Sequence, residues 1–320
     1  MLNQILSEKI HQTALACGYD GCGIIPIEAM TGYKMRIEER MEKIPESKKV
    51  YGFYNAFTRL RELHPWAKSV VICTIWLGKY TYLKSLQGKY AKAFMLSPDT
   101  VPESPAHQKK LQFETWLQEQ HIHFEGGEKG APARIMPLRH AAVAAGLGIF
   151  RKNNFFYGEK GSYYMLEGYL IDQEGEYIHT PTIKPCAEQC TLCRQACPTK
   201  SLSEPYTMNP LTCVSFLTTF GGGIVPDTLE EKDLGSWICG CDACQDACPY
   251  NSRHDWSRGE DFYGLKDIED LLKPQHIVTA SDEELCTTVI PKTDVHIPPE
   301  KVTILRICAA RAIRNEGIKK

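Results

Sequence analysis

Seven of the fourteen cysteines in this 320-residue chain fall in two short runs. The first is Cys186-Ala-Glu-Gln-Cys190-Thr-Leu-Cys193-Arg-Gln-Ala-Cys197-Pro198, and the second is Cys241-Asp-Ala-Cys244-Gln-Asp-Ala-Cys248-Pro249. Both close on C-x3-C-P. Spacings of two and three residues let three thiolates converge on one iron–sulfur cubane, while the cysteine before the proline reaches the neighbouring cluster. The first gap holds one residue more than the usual two, which a turn absorbs. The second run is one ligand short, and Cys213 between the runs can supply it. Eight ligands then make two [4Fe-4S] clusters. Crossed connectivity gives Cys186, Cys190, Cys193 and Cys248 to one, and Cys197, Cys213, Cys241 and Cys244 to the other. Two four-thiolate zinc sites are the alternative; the doubled C-x3-C-P ending favours iron–sulfur. Cys239, and the scattered Cys17, Cys22, Cys73, Cys286 and Cys308, read as small buried apolar residues.

The rest of the composition is that of an ordinary globular protein, 43% hydrophobic and 24% charged. Lys+Arg 37 against Asp+Glu 39 gives a net charge of −2, with no general attraction to nucleic acid or anionic membrane. The apolar runs are too short to cross a bilayer, and the first residues do not form a secretion signal. The expected location is therefore cytoplasmic, with no membrane partner. In that compartment clustered cysteines read as metal ligands rather than disulfides.

The elements that must position these groups divide near residue 180. Before it, the pattern alternates helix and strand. A helical stripe through Leu6, Ile10 and Leu15 stops at Gly18, and Gly21–Pro26 reads as a short strand. Ser69–Trp76 is almost continuously apolar, as in a strand covered on both faces. Helices are expected at His107–Gln120 and Arg139–Leu147, and a strand at Tyr163–Ile171. The resulting expectation is an α+β chain in three parts: a layered α/β domain over 1–180, a two-cluster ferredoxin-like domain over 181–255, and an extension over 256–320 packing on the core.

Several segments resemble the epoxyqueuosine reductases, relatives of the reductive dehalogenases. Cys197-Pro-Thr-Lys-Ser-Leu-Ser-Glu-Pro-Tyr206 and Cys213-Val-Ser-Phe-Leu-Thr218 are similar to that family's stretch between clusters, and Gly240–Asn251 to its second cluster motif. Ala145-Gly-Leu-Gly-Ile-Phe-Arg-Lys-Asn153 resembles its A-G-L-G-W-x-G-K-N motif, and Tyr19–Ile24 its first strand entry. The resemblance implies a nitroreductase-like, cobalamin-binding α/β domain beside the cluster domain. It implies a cobalamin-dependent iron–sulfur reductase, in which the two clusters pass single electrons from a low-potential donor such as ferredoxin or flavodoxin to base-off cobalamin.

Three departures qualify what carries over. The family's acidic D-x-x-P segment is Arg134-Ile-Met-Pro137 here, and arginine cannot act as a general acid at neutral pH. It could bind an anion or stabilise developing negative charge. The motif's Trp and Gly are replaced by Ile149/Phe150 and Arg151, and the family's C-terminal helical-repeat region has no counterpart. These departures point to a small-molecule substrate, an anion among the options, and away from tRNA. The alternative is an electron-transfer or corrinoid-activating protein without turnover of its own. Arg134 and Tyr163 are the candidate catalytic residues. His140, Lys152, Asn153 and Tyr206 are the candidate cofactor contacts. Each could equally serve packing, capping or ion pairing. A tRNA role would require basic residues such as Arg59, Arg61, Lys109 and Lys110 to gather on one face.

Overall fold

The computed structural model describes residues 2–96, 101–126, 135–292 and 302–318. The chain divides into two compact units, Met1–Trp76 with Pro105–Ala187, and Leu77–Ser104 with Glu188–Lys320. This differs from the three-part expectation. The division falls at 187/188, the segment 77–104 belongs with the cysteine runs, and the tail shares their unit.

The first unit is built on a sheet of β1 (Gly21–Pro26), β2 (Ser69–Trp76), β3 (Phe124–Gly126) and β6 (Tyr164–Ile171), in the order β1-β2-β6-β3 with every neighbour antiparallel. A small hairpin, β4 (Ile149–Phe150) with β5 (Phe156–Tyr157), lies outside that sheet. The apolar run of β2 is buried along seven of its eight residues, the burial its composition predicts for a central strand. Register aligns Cys22, Cys73 and Glu167 across three strands, and Gly23, Ile72 and Gly168 one step along. Alternation then sends the two rows to opposite faces.

The Gly23 face packs against an alanine-rich helix. We number the helices used below α1 (Leu2–Ala16), α2 (Tyr33–Lys43), α3 (Pro105–Glu119) and α4 (Leu138–Ala144). Ala141, Ala142 and Ala145 join Ile25, Val70, Ile72 and Leu170 in one apolar cluster. The approach is close. A Cβ on Gly23 would lie 2.7 Å from the Ala145 Cβ, and one on Gly168 would lie 2.8 Å from the Met136 sulfur. Small residues on helix and strands thus set this spacing.

The opposite face is polar at its centre. Lys110 of α3 pairs with Glu167 of β6 at 2.9 Å, the two side chains 2% and 0% exposed. Tyr19 donates to the same carboxylate at 2.5 Å, and Tyr169 donates at 3.3 Å. The Phe113 ring closes over both tyrosines edge-on.

In the second unit the helices are α5 (Leu192–Ala196), α6 (Ala243–Asp246) and α7 (Thr303–Ile318). The segment 77–104 braces the second cysteine run. Ile238 donates its backbone N–H to the Lys89 carbonyl at 2.6 Å, and Ala91 donates to Cys239 at 2.8 Å. The Lys92 ammonium, 4% exposed, lies 3.1 Å from Asp242 and 2.9 Å from Asp246. Helix α7 is tied to the same unit. Arg311 donates to the Trp237 carbonyl, and Arg314 grips Glu231 through two nitrogens at 2.9 and 2.7 Å. Among the described residues no helix is long and apolar enough to cross a membrane.

Candidate functional site

Cys197, Cys213, Cys241 and Cys244 all belong to the second unit. They sense one another's charge: Cys197 acts on Cys213, both act on Cys241, and all three act on Cys244. Burial pushes the thiols of Cys213, Cys241 and Cys244 above the ordinary value, and these neighbours push them further. Cys193, of the other expected quartet, acts on Cys244 as well. Cys244 lies within α6, and the loop before that helix turns the Ala243 N–H toward the Cys241 sulfur. The Ser215 and Phe216 N–H groups likewise face Cys213. Backbone donors aimed at sulfur suit thiolates. Four such charges in a buried space need metal cations to balance them. The donor set therefore fits a cluster.

Of the other expected quartet, Cys190, Cys193 and Cys248 lie in the second unit and Cys186 in the first. Arg151 approaches the Cys186 sulfur, with a guanidinium nitrogen at 3.6 Å. Among the described residues no group of three or more His, Cys, Asp or Glu side chains is placed to hold a single metal ion. Cys239 is fully buried and its carbonyl serves the brace from Ala91.

The other expected residues are not gathered as one set. Arg134 lies outside the described residues. Tyr163 is buried just before β6. Asn153 is buried, donating to the Tyr157 hydroxyl at 2.8 Å and accepting from the Phe155 N–H. The Lys152 ammonium donates to the Ala187 carbonyl at 2.9 Å. Tyr206 is half-buried in the second unit with a left-handed φ of 64°. Of the basic residues a tRNA role was expected to recruit, Lys110 is sequestered by Glu167, and Arg59 and Arg61 pair with Glu62 and Glu28.

Around His140 the structure gathers side chains that sequence reasoning missed. Arg36 and Arg40 lie one turn apart on α2, and Arg139 precedes His140 on α4. The Arg36 guanidinium stacks 3.3 Å over the Phe150 ring and donates to the Asn154 side-chain oxygen at 2.9 Å. Arg139 donates to the Asn154 backbone oxygen at 2.6 Å. Arg40 lies 4.0 Å over the Tyr51 ring and is 6% exposed. Burial, with the charges of Arg139 and Arg40, pulls Arg36 down to about 10. Burial, and then the Arg36 charge, holds His140 below the ordinary imidazole value. The i, i+4 pair Arg36 and Arg40 was the only linear signal.

Residues 186–251 match the model of the 4Fe-4S double cluster binding domain. The chain is 29% identical to the epoxyqueuosine reductase of Cellulophaga algicola over 253 residues, covering 77% of this chain and 79% of that protein. It is 34% identical to the epoxyqueuosine reductase of Escherichia coli over 151 residues, 46% of this chain and 38% of that one. A crystal structure of epoxyqueuosine reductase with an epoxyqueuosine-modified tRNA stem loop superposes with a TM-score of 0.75 at 22% identity, over 97% of this chain and 81% of that one. These findings overturn two expectations, an unidentified small molecule as substrate and tRNA set aside as a partner. Both rested on local departures from the family motif, whereas the likeness extends over most of the chain. The chain is related to the epoxyqueuosine reductases over most of its length, is an oxidoreductase of mixed helix and sheet, and carries their kind of double 4Fe-4S cluster domain.

Proposed function

We propose that this protein reduces epoxyqueuosine in tRNA, using two [4Fe-4S] clusters to deliver the electrons. The sequence likeness to named epoxyqueuosine reductases, which extends across both units, carries this reading. Removing an epoxide oxygen as water, leaving a carbon–carbon double bond, takes two electrons and two protons. Each cluster passes one electron at a time, so a pair of clusters suits the stoichiometry. Tyr163 is the proposed proton source, since Arg134 cannot act as an acid at neutral pH.

Cobalamin is the further cofactor that the family resemblance implies. When bound it would supply a low-valent metal able to attack carbon. The residues expected to hold it fit only in part. Asn153 and Lys152 already serve Tyr157, Phe155 and Ala187, while the buried His140 Nε2 has no hydrogen-bond partner. We therefore derive no step through it.

The test is anaerobic turnover of dithionite-reduced, cluster-loaded protein with epoxyqueuosine-bearing tRNA, with and without added cobalamin. Mass spectrometry of the digested tRNA should show loss of one oxygen atom from the modified base. Unchanged tRNA under both conditions, beside a working relative assayed in parallel, would overturn the proposal. Reduction only when cobalamin is added would establish that cofactor as well.

A further inference from the structure

We propose that Arg36, Arg40 and Arg139, with His140, form a binding pocket for a phosphate group in the first unit. Three guanidinium groups converge here without a carboxylate. Among the described residues none of the three has a carboxylate within salt-bridge distance. The acidic residue that influences Arg36, Glu39, is itself paired with Lys43 at 2.5 Å. Several of the protein's other buried or anchored cations carry a carboxylate, while the buried Arg311 is held by the Trp237 carbonyl instead. Lys110 has Glu167, Lys92 has Asp242 and Asp246, and Arg314 has Glu231 through both nitrogens. Like charges held together in partial burial oppose folding unless an anion offsets them.

Unused hydrogen-bonding groups point the same way. Arg40 is 6% exposed, yet its Nε has no partner. The Nε2 of His140 is also buried without one. Buried polar atoms are nearly always satisfied in native proteins, so two orphans beside three positive charges mark a place where a ligand completes the network.

The pocket is also held ready. Asn154 sits at a left-handed φ of 66°, an uncommon conformation for a side chain-bearing residue, and from there its side-chain oxygen receives Arg36 while its backbone oxygen receives Arg139. Phe150 and Tyr51 support the flat faces of Arg36 and Arg40. Arg36 is half-buried and Arg139 exposed, which leaves an entrance from solvent. Planar forks of N–H donors match the oxygens of a tetrahedral phosphate better than a lone carboxylate. The phosphate could belong to an RNA backbone or to a phosphorylated small molecule.

The experiment is calorimetric titration of the full chain with inorganic phosphate at low salt, repeated with an unmodified RNA stem loop. Wild-type protein should bind inorganic phosphate saturably, and R36M and R139M should each weaken binding by about tenfold or more, the share of one charge-assisted pair. If phosphate competes with the stem loop and both variants weaken it, the occupant is an RNA phosphate. If stem-loop binding is indifferent to both, the pocket takes a small phosphorylated molecule. Absence of saturable phosphate binding by the wild type, or equal binding by well-folded variants, overturns the inference. Should either variant misfold, R36K and R139K keep the charge while removing the fork and should still lose affinity; unchanged affinity in both overturns it. Turnover of modified tRNA is scored separately, so either this inference or the proposed function can fail alone.

Discussion

Arg151 directs a guanidinium nitrogen to within 3.6 Å of the Cys186 sulfur, while a second nitrogen donates to the Lys184 carbonyl. The side chain is 4% exposed and lies 5.2 Å from the Tyr157 ring, so its position is fixed by packing as well as by hydrogen bonds. A buried cation donating to a cluster thiolate stabilises the reduced, more negative state and raises its potential. If Cys186 is a cluster ligand, as its spacing predicts, R151M should lower the potential of that cluster on the order of 50 mV, close to a tenfold change in a one-electron equilibrium. A redox titration followed by electron paramagnetic resonance checks this. An unmoved potential with the iron content intact would refute it.

Iron content separates the cysteines. C213S should lose one of two clusters, reducing iron from about eight to about four atoms per chain. C239S should keep both, because Cys239 is enclosed by the brace from Ala91. Iron and sulfide analysis after anaerobic reconstitution reads both outcomes, and loss of iron in C239S alone would reverse the assignment.

The Lys110–Glu167 pair lies inside the first unit, and losing one partner strands the other without solvent. K110M should destabilise the protein by about 3–5 kcal/mol. The double variant K110M/E167L should recover much of that loss, since it removes both charges. Chemical denaturation followed by near-ultraviolet circular dichroism measures the difference; equal stability of the single variant and the wild type would contradict it.

His140 predicts a pH dependence. Its imidazole is held below its ordinary 6.5 by burial and the Arg36 charge, and a hydrogen bond to the Ala29 backbone opposes the shift without cancelling it. The folded protein therefore binds fewer protons here than the unfolded chain. Its contribution to stability is complete above 6.5 and falls as acidification crosses that value toward the folded pKa. Melting curves between neutral and mildly acidic pH should show a steeper loss for wild type than for H140N. Inorganic phosphate should raise the His140 titration midpoint in proton NMR.

Much of the molecule was legible in the sequence. Ser69–Trp76 appears as a strand with the expected limits, because a β-rich apolar run has few other ways to hide. The helix expected at His107–Gln120 is observed at Pro105–Glu119. The arginine pocket was not legible. Arg36 and Arg139 are far apart in the chain, and only the meeting of α2, α4 and the turn at Asn154 brings them together. The brace over 77–104 was hidden for the same reason. Nothing local to Lys92 announces Asp242 as its partner.

That brace sets an order of assembly. The backbone around Lys89 leaves the ribosome roughly 150 residues before Ile238, an interval on the order of ten seconds of synthesis. During that time Lys92 has neither carboxylate to meet. Pro105–Ala187, which completes the sheet of the first unit, is made in that interval. Cys241 and Cys244, two of the proposed cluster ligands, emerge only after that wait, so the redox half is finished once every strand of the other has been made.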